Sequence, residues 1–358
     1  MPSHLFKPLA QRGVTLRNRI VMSPMCQYSA DAGCATDWHL VHLGSRAAGG
    51  PGALLAEATA VVPEGRISPA DLGLWDDVQV EPLRRVFAFV AAQGCVPGIQ
   101  LAHAGRKAST LPPWQGGQPV DAGGGGWDDI VAPSALPWGP GHAVPRELDE
   151  AGIADVIAAF AAAARRAHAA GAQLVEVHAA HGYLLHQFLS PLTNHRRDRW
   201  GDSFAGRTRL LREVVAAVRA AWPDNLPLWV RLSCTDWVEG GWDEDQSVAL
   251  AGELASLGCD LVDCSSGGSV PQAVVPAAPG YQVRFAERLR REAGVPTGAV
   301  GLIDEPAPAE AIVRDGRADV VLLGRALLRE PHWALRAARE LGAQAPVPLQ
   351  YLRGFPAA

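Results

Sequence analysis

The sequence predicts an α/β protein of the (β/α)8 class, a TIM barrel, on three observations. Eight short apolar segments alternate with longer amphipathic segments along the 358 residues. Most of the short segments lack polar–apolar alternation, as expected for parallel strands covered on both faces. No Gly-rich phosphate loop follows the first strand, which disfavours the doubly wound sheet as the alternative. Right-handed crossovers between eight strands close most simply into a barrel.

The elements follow in chain order from their composition and boundaries. Glycine at the end of a segment and proline or acidic residues at its start are the usual signals of helix boundaries. The candidate strands are RIVMS (19–23), ALLAEAT (53–59), VPGIQLA (96–102), QLVEVH (173–178), LWVRLS (228–233), LVDCSS (261–266), TGAVG (297–301) and VVLLG (320–324). The candidate helices cover residues 81–94, 149–171, 203–223, 243–258, 306–316 and 331–342. We expect residues 1–358 to form a single domain.

One segment, residues 103–148, interrupts this alternation after the third strand. It contains three tryptophans, several prolines and four consecutive glycines at 123–126, and it is too long for an ordinary connection. It is either a functional excursion over the barrel mouth or a flexible insert. We favour a lid-like loop, although the glycine run could serve only to stay solvated.

Composition and charge exclude several classes of protein. Apolar residues make up 48% of the chain and charged residues 19%, as in a globular protein. The net charge of −5 gives no basic surplus for binding nucleic acid. The N-terminus has no apolar core of a signal peptide, and no uncharged apolar run approaches the ~20 residues of a membrane span. We therefore expect no membrane partner and a soluble, cytoplasmic protein whose six cysteines are reduced thiols.

The stretch HAAHGYLLHQF follows the fourth strand and brings His178, His181 and Tyr183 to the end of that strand. The active site of a TIM barrel forms at the carboxyl ends of its strands. We interpret the two histidines as donors to one carbonyl oxygen, with the tyrosine beside them as an acid.

These histidines could instead bind a metal ion or be buried structural residues. A catalytic zinc site needs about three protein ligands. The third would have to be His103, His186 or an acidic residue such as Glu176, and we consider a metal site the less favoured reading. We interpret His186 and His195 as buried structural residues.

The ends of the last strands indicate a phosphate site. Gly301 and Gly324 follow the seventh and eighth strands, SSGGS follows the sixth, and Arg325 comes directly after Gly324. Backbone N–H groups at such turns bind anions, and an arginine adds a charged donor. The glycines could instead only make tight turns. Together with Gln100, Arg231 and the absence of a dinucleotide motif, the phosphate site points to flavin mononucleotide, FMN.

Several long motifs then carry a resemblance that runs from about Leu5 to the C-terminal QYLRGF. They are NRIVMSPMCQYS, EATAVVPEGRISP, GIQLAHAGRK, VEVHAAHGYLLHQFLSPLTNHRRDRWGDSFAGR and VVLLGRALLREP. With these motifs the chain resembles the Old Yellow Enzyme family of FMN-dependent ene-reductases. The cysteine of PMCQYS makes the thermophilic-like subclass the closer likeness. The glycine run at 123–126 departs from the family pattern.

The resemblance implies a TIM barrel that holds FMN without a covalent bond. The residues expected at the isoalloxazine are Ser23, Pro24, Met25, Cys26, Ala58, Gln100 and Arg231, and those expected at the phosphate are Gly301, Gly324 and Arg325. His178 and His181 would bind a substrate carbonyl, with Tyr28 nearby. NADPH or NADH would reduce the flavin. Flavin N5 would then deliver hydride to the β-carbon of an α,β-unsaturated carbonyl compound, and Tyr183 would protonate the α-carbon.

The resemblance also concerns the tail, residues 343–358. Arg353 would enter the active site of a neighbouring subunit, which implies a homodimer or a tetramer built from dimers. The alternative is a frayed basic tail.

Cys26 could form a weak hydrogen bond to the flavin or be only a small buried side chain, and Tyr28 could be plain packing. Two other functions stay open. One is a metal-dependent hydrolase that uses His178 and His181. The other is a flavin-binding redox sensor that uses Cys26 without turnover. The presence of Tyr183 argues against the sensor, because binding alone needs no proton donor.

Overall fold

The structure, a computed structural model, describes residues 3–355. The strands are β1 (Leu9–Gln11), β2 (Val14–Leu16), β3 (Ile20–Met22), β4 (Ala53–Ala60), β5 (Val96–Ala102), β6 (Val131–Ala132), β7 (Arg146–Glu147), β8 (Leu174–Ala179), β9 (Leu228–Ser233), β10 (Leu261–Ser265), β11 (Thr297–Ala299) and β12 (Val320–Leu323). The α-helices are α1 (Asp37–Ala48), α2 (Val80–Ala92), α3 (Glu150–Ala169), α4 (Leu184–Leu189), α5 (Phe204–Ala221), α6 (Glu244–Ser256), α7 (Val283–Glu292), α8 (Pro306–Arg314), α9 (Arg325–Arg329) and α10 (Trp333–Glu340).

Eight of these strands close into a parallel barrel in the order β10-β11-β12-β3-β4-β5-β8-β9. All eight correspond to the segments predicted from the sequence, with ends shifted by a few residues. The predicted fold class, a (β/α)8 barrel with a long excursion after its third strand, is therefore confirmed.

The six predicted helices are present as α2, α3, α5, α6, α8 and α10, whereas the patterns did not predict α1, α4, α7 and α9. Helix α1 buries His39 and His42 on its core face, so its apolar period is weak. Helix α7 is rich in arginine and buries only four of its side chains. Between residues 3 and 355, no helix combines the length and apolar character that a membrane span requires.

The amino end of the barrel is closed by an antiparallel hairpin, β1 and β2. Val14 and Leu16 of this hairpin pack against inward-facing strand residues such as Leu55, Leu174 and Leu261. At the same end, Trp229 donates its indole N–H to the side-chain oxygen of Gln11 at 2.7 Å. An apolar core therefore fills this end of the barrel.

The excursion at residues 103–148 is folded back onto the barrel. Its two short strands, β6 and β7, pair in parallel. Arg106 donates to the carbonyls of Leu136 and Pro137 within the excursion and to Ser269 after β10. Gly123–Gly125 are exposed, but a Cβ on Gly126 would collide with the Ser109 hydroxyl and the Val120 carbonyl. One glycine of the run is thus required by packing.

Candidate active site

The parallel register brings polar side chains to the carboxyl end of the barrel interior. Gln100 on β5 lies opposite Glu176 on β8, and Arg231 on β9 lies between His178 on β8 and Asp263 on β10. All five side chains are buried. Because neighbouring strands share this register, residues separated by up to about 160 positions meet at one end of the barrel.

His178, His181 and Tyr183 form one aromatic cluster. The ring of His178 lies 5.2 Å from that of His181 and 5.1 Å from that of Tyr183, with edge-to-face geometry in both pairs. The Nδ1 atom of His178 is buried without a protein partner. Within residues 3–355, the Tyr183 hydroxyl forms no hydrogen bond to the protein. The three predicted residues therefore meet, and they keep polar atoms free for a ligand.

The loop that carries this cluster is built from strained and tightly packed backbone. His181 adopts a left-handed conformation with φ of 59°, and Gly182 follows with φ of 72°. A Cβ on Gly182 would collide with the carbonyl oxygen of Gly268, so only glycine fits there. The N–H of His181 donates to the Ser233 hydroxyl at 2.9 Å. Neighbouring strand ends thus hold His181 in a conformation that a free loop would avoid.

Lys107 joins the excursion to the same loop. Its ammonium donates to the carbonyls of His181 at 2.9 Å and Gly268 at 3.2 Å. It also lies over the rings of Trp138 and Tyr183 at 5.0 and 5.1 Å. Burial, and next the charge of Arg106, lowers the pKa of Lys107 to about 8.

Burial controls the ionisation of the cluster. It lowers the pKa values of His178 and His181 well below their ordinary 6.5, and the charge of Arg231 adds to this effect. It also raises the pKa of Tyr183 well above the ordinary 10. Both imidazoles are therefore neutral at neutral pH, and the tyrosine keeps its proton.

The other histidines have structural surroundings. His186 lies with Nε2 3.0 Å from Asp236 Oδ1 and accepts the N–H of Gly182, as a buried structural residue would. Burial alone would raise the pKa of Asp236, but the charge and hydrogen bond of His186 hold it below its usual range. The interpretation of His195 as buried is wrong, because it lies exposed in the polar segment after α4. His103 is buried and accepts the N–H of Gly105.

The segment after β3 lies beside the cluster. Ser23 is buried, and its hydroxyl has no protein partner, whereas Pro24, Met25 and Cys26 are half-buried. Burial, then the charges of Asp71 and Glu57, raises the pKa of the Cys26 thiol well above its ordinary value. Tyr28 contacts Trp114 of the excursion edge-on, with ring centroids 5.4 Å apart.

The predicted phosphate residues stand at neighbouring strand ends. Gly301, after β11, has φ of 119°, and Gly324, after β12, precedes Arg325 at the start of α9. Among residues 3–355, the N–H groups of Gly301 and Gly324 donate to no protein acceptor. Arg325 is exposed, and its side chain forms no ion pair within the same residues.

Arg353 lies on an exposed 3-10 helix, Leu349–Gly354, at the surface of the chain. Three apolar neighbours on this helix, Leu349, Tyr351 and Leu352, are also exposed. Residues 356–358 of the predicted tail lie outside the described residues. Within residues 3–355, the Arg353 side chain forms no hydrogen bond or ion pair.

Sequence reasoning gave no individual role to four further side chains at the barrel mouth: Lys107, Asp263, Ser265 and Gln282. Ser265 lies with its hydroxyl 2.7 Å from Nε2 of His181. Gln282 accepts a hydrogen bond from the Ser266 hydroxyl at 2.5 Å and donates to the Val300 carbonyl. The period-two alternation of β10 placed Asp263 and Ser265 on one face, and that signal could have identified them.

The alternative of a metal site depends on a group of side chains that could bind the ion. In the part of the chain that the structure describes, no group of three or more His, Cys, Asp or Glu side chains is arranged to hold a metal ion.

The sequence matches known proteins over almost its whole length. Residues 4–344 match the model of the NADH:flavin oxidoreductase / NADH oxidase family. The chain is 47% identical to the NADPH dehydrogenase of Geobacillus thermodenitrificans (strain NG80-2) over 357 residues, which is 99% of each chain. It is 44% identical to the NADPH dehydrogenase of Bacillus subtilis (strain 168), over 99% of this chain and 100% of the relative.

Solved structures agree with these relatives. Morphinone reductase superposes with a TM-score of 0.79 at 29% identity, over 96% of this chain and 91% of that one. The old yellow enzyme homologue from Zymomonas mobilis has a TM-score of 0.79 at 27% identity, over 96% and 94% of the two chains. These comparisons confirm the resemblance seen in the motifs, the enzyme class, and the cofactors FMN and NAD(P)H. The chain belongs to the NADH:flavin oxidoreductase / NADH oxidase family, which includes the Old Yellow Enzyme homologues.

Proposed function

We propose that this protein is an ene-reductase that reduces the carbon–carbon double bond of α,β-unsaturated carbonyl compounds. When bound, FMN supplies the β-carbon with hydride that comes from NADPH or NADH. His178 and His181 hold the carbonyl oxygen, and Tyr183 gives a proton to the α-carbon.

The observation that carries this proposal is the cluster of two neutral histidines and one protonated tyrosine. Neutral donors stabilise negative charge that develops on a carbonyl oxygen without first trapping an anionic ligand. The tyrosine ring touches that of His178, so its hydroxyl can serve a carbon atom close to the same carbonyl. Its raised pKa keeps the proton available until a basic carbon appears.

Ser265 supports the donor role of His181. A neutral imidazole has one donor and one acceptor nitrogen. If the Ser265 hydroxyl donates to Nε2 across the 2.7 Å contact, Nδ1 of His181 carries the proton and can donate to the substrate. With that donation, Ser265 would fix the tautomer of His181 that donates from Nδ1.

The residues at the barrel mouth fit FMN. The Ser23 hydroxyl and Arg231 Nε are buried without aligned partners, as expected where a polar ligand completes their hydrogen bonds. Together with Gln100, Pro24, Met25, Cys26 and Ala58, they would hold the flavin ring. The free N–H groups of Gly301 and Gly324, with exposed Arg325, would hold the phosphate.

The two alternatives receive less support. The raised pKa of Cys26 keeps it a thiol at neutral pH, whereas a redox sensor needs a reactive thiolate. A hydrolase would need a third metal ligand beside His178 and His181, and His103 and His186 are already engaged with Gly105 and Asp236.

Two further parts of the proposal concern the excursion and the tail. Trp114 of residues 103–148 contacts Tyr28 edge-on, and Trp138 donates to the Gly268 carbonyl after β10, which supports a lid that forms one wall of the site. The exposed apolar side chains around Arg353 support a homodimer, or a tetramer of dimers, in which Arg353 enters a neighbour's site. Light scattering on the native protein and on Leu352→Asp would test this: the variant should be monomeric.

The visible spectrum of the purified protein tests the reaction. Under anaerobic conditions, the flavin band should bleach when NADPH is added and return when 2-cyclohexenone is added. A band that bleaches and does not return would contradict ene-reduction while leaving the family assignment intact.

A further inference from the structure

A buried charge cluster lies at the carboxyl end of the barrel interior and includes two of the residues proposed to hold the flavin. It consists of Gln100, Glu176, Arg231 and Asp263 on the consecutive barrel strands β5, β8, β9 and β10. Glu176 and Asp263 are both 0% exposed. Neither carboxyl belongs to the histidine–tyrosine cluster, so the proposed chemistry gives no role to two of the most deeply buried acids in the described chain.

Each carboxyl serves a different neighbour. The Gln100 amide donates to Glu176 Oε1 at 2.7 Å, so the other end of that amide, its oxygen, is free to face the cofactor. Arg231 Nε lies 3.0 Å from Asp263 Oδ2 as an ion pair. The angle of this pair is not that of a hydrogen bond, and both Asp263 oxygens lack aligned donors. No other protein group in residues 3–355 bonds the guanidinium.

The charge balance distinguishes the two acids. One guanidinium can offset only one carboxylate, and a second buried negative charge would be costly. Asp263 is the acid paired with Arg231, whereas Glu176 has only an amide donor and an unpartnered Oε2. Burial raises the pKa of both acids, and Arg231 opposes this for both. Glu176 is therefore the neutral acid, and Asp263 carries the charge.

We propose that Glu176 and Asp263 are positioning residues for the flavin. Glu176 holds the Gln100 amide with its oxygen toward the cofactor, and Asp263 orients Arg231 and offsets part of its positive charge. This inference rests on the flavin contacts of Gln100 and Arg231 in the proposed function. It adds that the reduction potential of the flavin and the affinity for FMN depend on two acids that act through Gln100 and Arg231.

The test uses the FMN-loaded protein and three variants. Asp263→Asn removes the negative charge, so Arg231 is unopposed and electron-rich reduced flavin is favoured. The equilibrium with a reference redox dye should shift about tenfold toward reduced flavin, the order expected for the loss of one buried charge near the flavin. Glu176→Gln keeps a neutral acceptor and should stay within about twofold of wild type in the dye equilibrium and in FMN affinity. Glu176→Leu removes the acceptor, and its FMN dissociation constant should rise about tenfold.

Asp260→Asn is the matched control. It is the same substitution, but Asp260 directly precedes β10 at the amino end of that strand. Asp260 pairs with Arg12 and supports the backbone of Leu228, so the control should lose stability without a shift in the dye equilibrium. Circular dichroism and FMN stoichiometry establish that each variant is folded and loaded.

Any of three results would overturn the inference. In the dye equilibrium, Asp263→Asn could equal Asp260→Asn, or Glu176→Gln could shift as much as Asp263→Asn. In the binding measurement, Glu176→Leu could keep the FMN affinity of the wild type. No enone is present, so a failure of ene-reduction does not affect the outcome. Gln100→Leu and Arg231→Lys distinguish a failure of this inference from a failure of the proposed flavin contacts. If these alter the flavin and the acid variants do not, only the inference fails. If Gln100→Leu and Arg231→Lys also leave the dye equilibrium and the FMN affinity unchanged, the proposed flavin contacts are wrong.

Discussion

The two ends of the barrel interior contrast in composition and in completeness. At the amino end, a hairpin and inward-facing leucines and valines fill the space, and Trp229 finds a partner in Gln11. At the carboxyl end, buried polar atoms of Ser23, His178 and Arg231 have no aligned partner within residues 3–355. Unpaired buried polar groups destabilise a fold by about 1–3 kcal/mol each. One end therefore supplies stability, and the other keeps unsatisfied groups for a ligand.

The largest expected effect tests the amino end. Leu174→Ala opens a cavity among the apolar side chains and should lower the free energy of unfolding by about 2–5 kcal/mol. Turnover per bound FMN should be unchanged, as measured by urea unfolding and steady-state kinetics. Val41→Ala, at a site on α1 that is 62% exposed, is the control and should change stability by less than about 0.5 kcal/mol. Equal loss of turnover and stability in Leu174→Ala would mean that the two ends are not independent.

Tyr183→Phe tests the opposite end. Loss of the proton donor should slow reoxidation of the reduced flavin by 2-cyclohexenone about 100-fold, with some rate left because water can replace the hydroxyl. Reduction by NADPH and the urea midpoint should not change, as stopped-flow and unfolding experiments can establish. Full reoxidation rate in Tyr183→Phe would exclude this residue as the proton donor.

His178→Leu should weaken binding of the enone more than it slows chemistry once the enone is bound. A lost hydrogen bond to a substrate oxygen costs about 1–3 kcal/mol, so the half-saturating enone concentration for flavin reoxidation should rise about tenfold. The exposed His195 supplies the control variant His195→Leu. An unchanged half-saturating concentration would argue against His178 as a carbonyl ligand.

The pH dependence of stability tests whether the two histidines are buried in their neutral form. The pKa values of His178 and His181 in the folded protein lie below the ordinary 6.5 of an unfolded chain. The unfolded state therefore takes up protons first: stability is complete above pH 6.5 and is lost as the pH falls. Each histidine should contribute up to about 1.4 kcal/mol per pH unit below 6.5. Urea unfolding at pH 7.5 and 5.5 should give a smaller difference in the His178→Leu/His181→Leu double variant than in wild type. An equal difference would contradict neutral burial.

The sequence was most informative where a pattern was continuous. The eight apolar strands and HAAHGYLLHQF were recognisable because parallel strands are apolar on both faces and because the functional residues follow a strand directly. Helix α1 was missed because buried His39 and His42 replace apolar residues on its core face. His195 was misjudged because exposure after α4 depends on packing that a local pattern does not contain.

By itself, the sequence determined the barrel, the family, the cofactor class and the histidine–tyrosine cluster, because each depends on residues close together in the chain or on a period repeated along it. Only the tertiary structure decided that Glu176 faces inward onto Gln100, that Asp263 pairs with Arg231, and that Lys107 ties the excursion to His181. These contacts join residues about 30 to 75 positions apart. Their distances and charges exist only once barrel closure sets the register between strands, and that register is a property of the whole sheet.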